Sequence, residues 1–419
     1  MKKRTKIFFK FVRVLFLAGL IAVLGFSNLA PVLLNEFGAE KLAGSLKIKE
    51  AQAVAQGDGI VLYAKSTNDG VYRRTFTAPS TVSGETNILS GFTDTIRYIE
   101  LKAAPTRDEM IAVVQAAIST TGSSIVVLKW DGASWTVPFC IRTGGGTVGG
   151  TACTNATYIS NANTVRRAVA VEYENTSGDA MVLYSSGASG TNEMKYQTWN
   201  GTSWSGELNL DTARLTGIVT WIELVPKPGA NEMTALFSDA NADLSAFVWD
   251  GTSAWGTEPA AVLETALEDI GTGTHPTVRS FDGAYESSSG EFLAAWGFSS
   301  TADVKHVTRP SGGAWGSVTT DTAFPEIATV VDMAGDPDSA SNYVLFASQD
   351  PAAADNQCTV WRGATNVWAD GTPANCDINA GAQVAGNQGF GVGFLTSGST
   401  KRAVVVWPEA ASANLNYYN

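Results

Sequence analysis

Hydrophobic positions in this 419-residue chain fall in short runs of four to six residues between polar turn residues, not at the 3.6-residue spacing of helices. Seven runs share one context: Ile60 to Tyr63, Met110 to Gln115, Met181 to Tyr184, Met233 to Phe237, Phe292 to Trp296, Tyr343 to Phe346 and Ala403 to Trp407. A small polar loop follows each, and then a partner run beginning near Val71, Ile125, Met194, Leu244, Val304, Cys358 or Leu415. Six units have an earlier run as well: Ile96 to Leu101, Arg166 to Tyr173, Ile218 to Val225, Thr277 to Tyr285, Ile327 to Met333 and Phe390 to Leu395. Turns such as Pro226-Lys227-Pro228-Gly229 and Asp336-Pro337-Asp338 join it to the next run. A weaker fourth run, as in Trp135 to Ile141 and Trp204 to Leu210, completes a four-stranded antiparallel meander of about 57 residues.

The third strand of three units ends in nearly the same letters: Trp130-Asp131-Gly132-Ala133-Ser134-Trp135, Trp199-Asn200-Gly201-Thr202-Ser203-Trp204 and Trp249-Asp250-Gly251-Thr252-Ser253-Ala254-Trp255. Degenerate copies end at Trp315 and Trp368. Asp-Gly or Asn-Gly between apolar runs predicts a type I′ hairpin with both central residues at positive φ. Tandem meanders whose faces are buried only by their neighbours predict an all-β fold, a single β-propeller over residues 57–419 with about seven blades, alternatively six. The first unit has no obvious inner strand and the last no outer one, so a strand shared between the ends is one way to close the ring.

Composition changes the picture at the N-terminus. Six basic residues within the first 13 precede the apolar run Val14 to Phe26, which continues to Leu34, as in an export signal. Residues 1–53 are therefore expected to be either a signal peptide cleaved near Ala51-Gln52-Ala53 or an uncleaved membrane anchor. Both place the rest of the chain outside the cytoplasm, secreted or at the cell surface. The 28 basic and 40 acidic residues divide as nine and three up to Ala53 and 19 and 37 beyond it, so the exported part is strongly acidic. That charge disfavours nucleic acid and leaves the N-terminal segment as the only expected membrane contact. Four cysteines in an exported chain predict local disulfides, Cys140 with Cys153 and Cys358 with Cys376.

Two sets of side chains are candidates for ligand contact. Trp130, Trp135, Trp199, Trp204, Trp249 and Trp255 offer flat faces for sugar rings, although repetition at one place in each blade favours packing. Arg97, Arg166 and Arg279 stand at matching places in predicted innermost strands, with Glu100, Glu223 and Asp282 about three residues on. They would clamp an anion or form repeated salt bridges. Asp239, Asn241 and Asp243 alternate like the start of a calcium loop, without the glycine expected at its sixth position, and otherwise no cofactor is expected. Two histidines leave little general acid-base capacity at neutral pH.

At its tryptophan hairpins the chain resembles the fucose-binding propeller lectins, which carry a similar Trp-Asp-Gly turn followed by Trp. The resemblance implies a propeller with sugar pockets between blades, each built from an Arg, a Glu and a Trp. The strands ahead of the turns, such as Val126-Val127-Leu128-Lys129, carry no such Arg and Glu pair. Ser66-Thr67-Asn68-Asp69-Gly70-Val71-Tyr72 is similar to the Asp-box of sialidase propellers, a structural turn. The expected function is a carbohydrate-binding module. The alternatives are an adhesion propeller binding an extracellular protein, and a sialidase-like glycoside hydrolase.

Overall fold

The structure, a computed structural model, describes residues 59–419 except 66–69, 78–80, 119–121, 157–166, 213, 269–277, 323, 351–354, 370–377, 380–389, 398–399, 409–414 and 419. The chain divides into two units, residues 1–55 and 56–419, and the description concerns the second. The export segment, the Asp-box residues 66–69, Arg166 and Cys376 lie outside the described residues.

Every regular element among the described residues is a β-strand, in seven sheets of three to five strands and one two-stranded ribbon. The second sheet runs in chain order through Thr95–Ala103, Met110–Ala117, Ser123–Trp130 and Trp135–Arg142. The third consists of Val169–Tyr173, Ala180–Ser185, Met194–Trp199 and Leu208–Leu210, and the fourth of Val219–Pro226, Met233–Asp239, Leu244–Trp249 and Trp255–Gly256. Phe281–Tyr285, Phe292–Gly297, Val304–Arg309 and Thr319–Asp321 make the fifth; Val330–Gly335, Tyr343–Asp350, Asp355–Arg362 and Val367–Trp368 make the sixth. These are the predicted meanders. In the first sheet the described strands begin with Gly59–Ala64, and in the seventh they end with Leu415–Tyr418.

The runs are apolar without alternation because both faces of each sheet are covered. Met110–Ala117, Ala180–Ser185 and Phe292–Gly297 are buried along almost their whole length. Alternate residues of one strand serve opposite neighbours. Val182 and Tyr184 pack with Ile111, Val113 and Ile125 of the second sheet, while Met181 and Leu183 pack with Ile222 and Phe237 of the fourth. The next two cores likewise join the fourth sheet to the fifth and the fifth to the sixth. Outer strands such as Leu208–Leu210 are mostly exposed, which is why they read weakly in sequence.

The tryptophan turn differs from its prediction. Only the glycine is at positive φ: 89° at Gly132, 85° at Gly201 and 80° at Gly251, with Asp131, Asn200 and Asp250 in ordinary backbone conformations. A longer loop closes on the Asp or Asn side chain. Asp131 Oδ1 accepts the amides of Ala133 and Ser134 at 3.0 and 2.8 Å, and Asn200 Oδ1 accepts those of Thr202 and Ser203 at 3.0 and 2.8 Å. Three such bonds hold the Asp250 carboxyl down at about 2 despite its partial desolvation.

Cys140 and Cys153 form a disulfide, and Cys358 is also disulfide-bonded. The first folds the chain back so that Thr154–Asn155 adds, in parallel, to Trp135–Arg142, a strand the sequence pattern did not announce.

Candidate functional site

Innermost strands of successive sheets pack side by side and carry a connected set of charges. Counted from each hairpin, Glu100, Glu223, Asp282 and Asp332 stand at equivalent positions, opposite Val113, Leu236, Ala295 and Ala347. The same count places Arg167, not Arg166, level with Arg97 and Arg279. A bulge between Ile96 and Tyr98 leaves Arg97 exposed. The Arg167 guanidinium lies 4.9 Å from the Tyr98 ring centre and 5.5 Å from that of Trp221. Buried Arg279 bridges three sheets, reaching Glu223 at 2.6 Å, Asp332 at 3.1 Å and Asp282 at 3.4 Å. Lys102 joins Glu172 at 2.6 Å and Glu100 at 3.5 Å. The salt-bridge alternative describes Arg279, while Arg97 takes no part.

Burial, reinforced by Glu223 and Glu172 and opposed by Lys102, pushes the Glu100 carboxyl up to about 7. Burial also raises Glu172, Asp282 and Asp332. A carboxyl raised by folding favours the folded state when protonated: its contribution is complete below the unfolded value near 4.5 and is lost as pH rises through the folded one. Stability should therefore increase between pH 8 and pH 5, by on the order of 1–3 kcal/mol from Glu100. Equilibrium unfolding at the two pH values measures this, and Glu100→Gln should shrink the difference. Equal stability at both, or an unchanged difference in the variant, contradicts the assignment.

The tryptophans that end the third strands turn toward the preceding sheet. The Trp199 indole N–H donates to Glu109 at 2.9 Å, Trp249 to Glu174 at 2.7 Å and Trp361 to Glu286 at 3.1 Å. Each acceptor sits in the turn between the first two strands of the preceding sheet. In the fifth sheet Arg309 takes the tryptophan's place and reaches Glu232 at 3.0 Å. Trp199 and Trp249 are only 6% and 5% exposed, so their faces are spent on packing. Trp130 is partly buried under the Arg73 guanidinium, 5.1 Å from its ring centre. Trp135, Trp204 and Trp255 are partly buried, with their N–H atoms enclosed and without a partner. Trp204 stands edge-on to Phe139 and Trp255 to Tyr196. The six tryptophans are thus distributed along successive seams and do not converge.

One seam departs from this plan. Between the third and fourth sheets, Tyr196 and Leu210 pack against Trp249 and Trp255. The register makes their counterparts in the fifth sheet His306 and Asp321, facing Trp361 and Trp368. His306 Nδ1 donates to Asp321 Oδ2 at 2.5 Å and Trp368 Nε1 donates to the same oxygen at 3.0 Å. The imidazole lies 4.9 Å from the Trp361 ring, and the two indoles are 5.0 Å apart at 71°. Beside them opens a cavity of about 560 Å³, lined also by Thr308, Thr319, Phe324 and Asn366. Aromatic faces, a carboxylate and small polar residues in one concave site can hold a hydroxyl-rich ring. Sequence reasoning missed His306 and Asp321. The signal was present: His306 is one of two histidines and interrupts a place held elsewhere by Val127, Tyr196 and Ala246.

The calcium candidate is tied up in its own turn. Asp239 Oδ1 accepts the amides of Asn241 and Asp243 at 2.9 and 3.1 Å, and its Oδ2 accepts that of Gly217 at 2.7 Å. Asn241 Nδ2 donates to Thr216. Desolvation, with the Asp239 and Glu264 charges, raises Asp243 to about 6. Among the described residues no group of three or more His, Cys, Asp or Glu is placed to hold a metal.

No family model matches the chain, and no curated protein matches it in sequence. Solved structures do match. The chain is similar to the BP39L lectin of Burkholderia pseudomallei, with 12% identity over 86% of this chain and 94% of that one and a TM-score of 0.55. It also matches the six-bladed propeller lectin of Aleuria aurantia, at 12% identity, 75% and 93% coverage and a TM-score of 0.34. A third match is the β-propeller domain of the Trilobed protease of Pyrococcus furiosus, at 9%, 73% and 76%, and 0.37. The likeness to the BP39L lectin, with the seven antiparallel meanders, makes the described unit a β-propeller.

Proposed function

We propose that the protein is a carbohydrate-binding propeller acting outside the cytoplasm, and that its saccharide sits between the fifth and sixth sheets. The observation that carries the reading is the replacement of an apolar seam by His306 and Asp321 beside a cavity into which Trp368 is partly exposed. That BP39L is a lectin supports the class, and a disulfide suits an oxidising compartment. A sialidase-like hydrolase finds less support, because Glu100 and Glu223, inner-strand carboxylates that such a reaction would draw on, are paired with Lys102 and Arg279.

A glycan array followed by calorimetric titration tests the reading. Trp368→Ala is expected to weaken saccharide binding by about 10-fold or more, since stacking on an aromatic platform supplies much of such an affinity. Trp368→Phe, which keeps a ring but removes the N–H bonded to Asp321, should fold normally and bind at an intermediate level. Saccharide binding indifferent to both variants would move the site elsewhere. No saccharide binding, together with attachment to an extracellular protein, would favour the adhesion reading.

A further inference from the structure

We infer that this groove selects a saccharide carrying a free amine, and that Asp321 receives the ammonium group. The inference rests on the saccharide reading above and adds the charge class of the sugar. Asp321 is the one carboxylate among the residues lining the cavity, and no lysine or arginine lines it. Its Oδ2 holds the Trp368 and His306 donors, and its Oδ1 makes no hydrogen bond within the described residues. The cations of the neighbouring strand are committed elsewhere: Lys305 to Glu264 at 2.7 Å and Arg309 to Glu232 at 3.0 Å. A carboxylate only one-fifth exposed is screened less than one in open water, so its charge acts strongly on whatever enters.

The remaining walls favour the same ligand. Trp368 is the partly exposed ring of the cavity and bonds the carboxylate, with Trp361 and Phe324 buried against it, and aromatic faces attract cations. A sugar acid would meet Asp321, and the one basic side chain in the lining, His306, is already bonded to that carboxylate. An N-acetylated amine would bring a donor but no charge. A protonated amine forms a charge-assisted hydrogen bond with Oδ1, and the chain's net charge of −12 raises the local concentration of cationic ligands.

The test uses three matched sugars in the gluco and galacto series: the hexosamine, its N-acetyl derivative and the parent hexose, each titrated into the full protein at about pH 6. The hexosamine is expected to bind about 10-fold more tightly than the other two in at least one series. Asp321→Asn, whose amide oxygen can still accept from Trp368, should erase that preference, costing the hexosamine about 10-fold more affinity than it costs the parent hexose. Equal or weaker binding of the hexosamine overturns the inference and leaves the saccharide reading standing if the neutral sugars bind. A preference that persists in Asp321→Asn also overturns it, by placing the amine elsewhere. Failure of all the sugars to bind overturns both.

Discussion

Trp249→Ala is expected to destabilise the protein by about 3–5 kcal/mol, the usual range for deleting a buried indole, with no reorganisation of the third or fourth sheet. Trp249 fills the core between those sheets, touching Tyr196 and Trp255, and holds the buried carboxylate of Glu174 at 2.7 Å. Its removal opens a cavity and leaves Glu174 with Ser177 as its remaining side-chain donor. Trp249→Phe separates the two effects, because it keeps most of the volume and loses only the N–H. That variant should lose about 1–3 kcal/mol. Urea unfolding followed by circular dichroism measures both. A loss below about 1 kcal/mol for Trp249→Ala would mean that the seam relaxes around the hole, and would undercut the view that these tryptophans are structural.

Arg279→Met is the second change with a large expected effect, about 3–5 kcal/mol at neutral pH. The methionine replaces much of the stem but leaves Glu223, Asp282 and Asp332 facing one another without their shared cation. Burial already raises Asp282 and Asp332 against the pull of the guanidinium. Without it they rise further, so the damage should be largest at high pH and should shrink toward pH 5, where protonation relieves the repulsion. The comparison is again equilibrium unfolding across pH. A destabilisation independent of pH would assign the loss to packing and not to charge.

The repeat was legible because strand boundaries are marked by local chemistry. Asp131, Asn200 and Asp250 announce their turns whatever surrounds them, and the buried strands read as apolar runs because both faces are covered. The turn type was not legible. Asp-Gly at the centre of a two-residue hairpin and Asp-Gly at the start of a longer loop share the same letters. They differ only in where the flanking tryptophans pair, Trp130 with Trp135. The place of Arg97 was hidden for a similar reason, since the bulge there shifts its strand by a residue and nothing in its composition marks the shift.

The candidate site was the least legible part. Its residues come from two repeats, His306 and Asp321 from one and Trp361 and Trp368 from the next. Repetition drew attention to what successive units share, whereas the groove arises where one unit stops sharing it. Nothing in the sequence singled out Glu109, Glu174, Glu232 and Glu286, because the partner of each lies 75 to 90 positions away.

Those glutamates give the molecule a polarity. The third, fourth and fifth sheets each offer an acceptor to the sheet after and a donor to the sheet before, so the contact is head-to-tail and the same surface never meets itself. An interface of that kind imposes no stopping point of its own. A duplicated unit could be inserted with both of its contacts already satisfied, and the number of units would be limited only by the angle each adds. Lengthening or shortening the array is therefore a question of curvature, in which the individual bonds need not change.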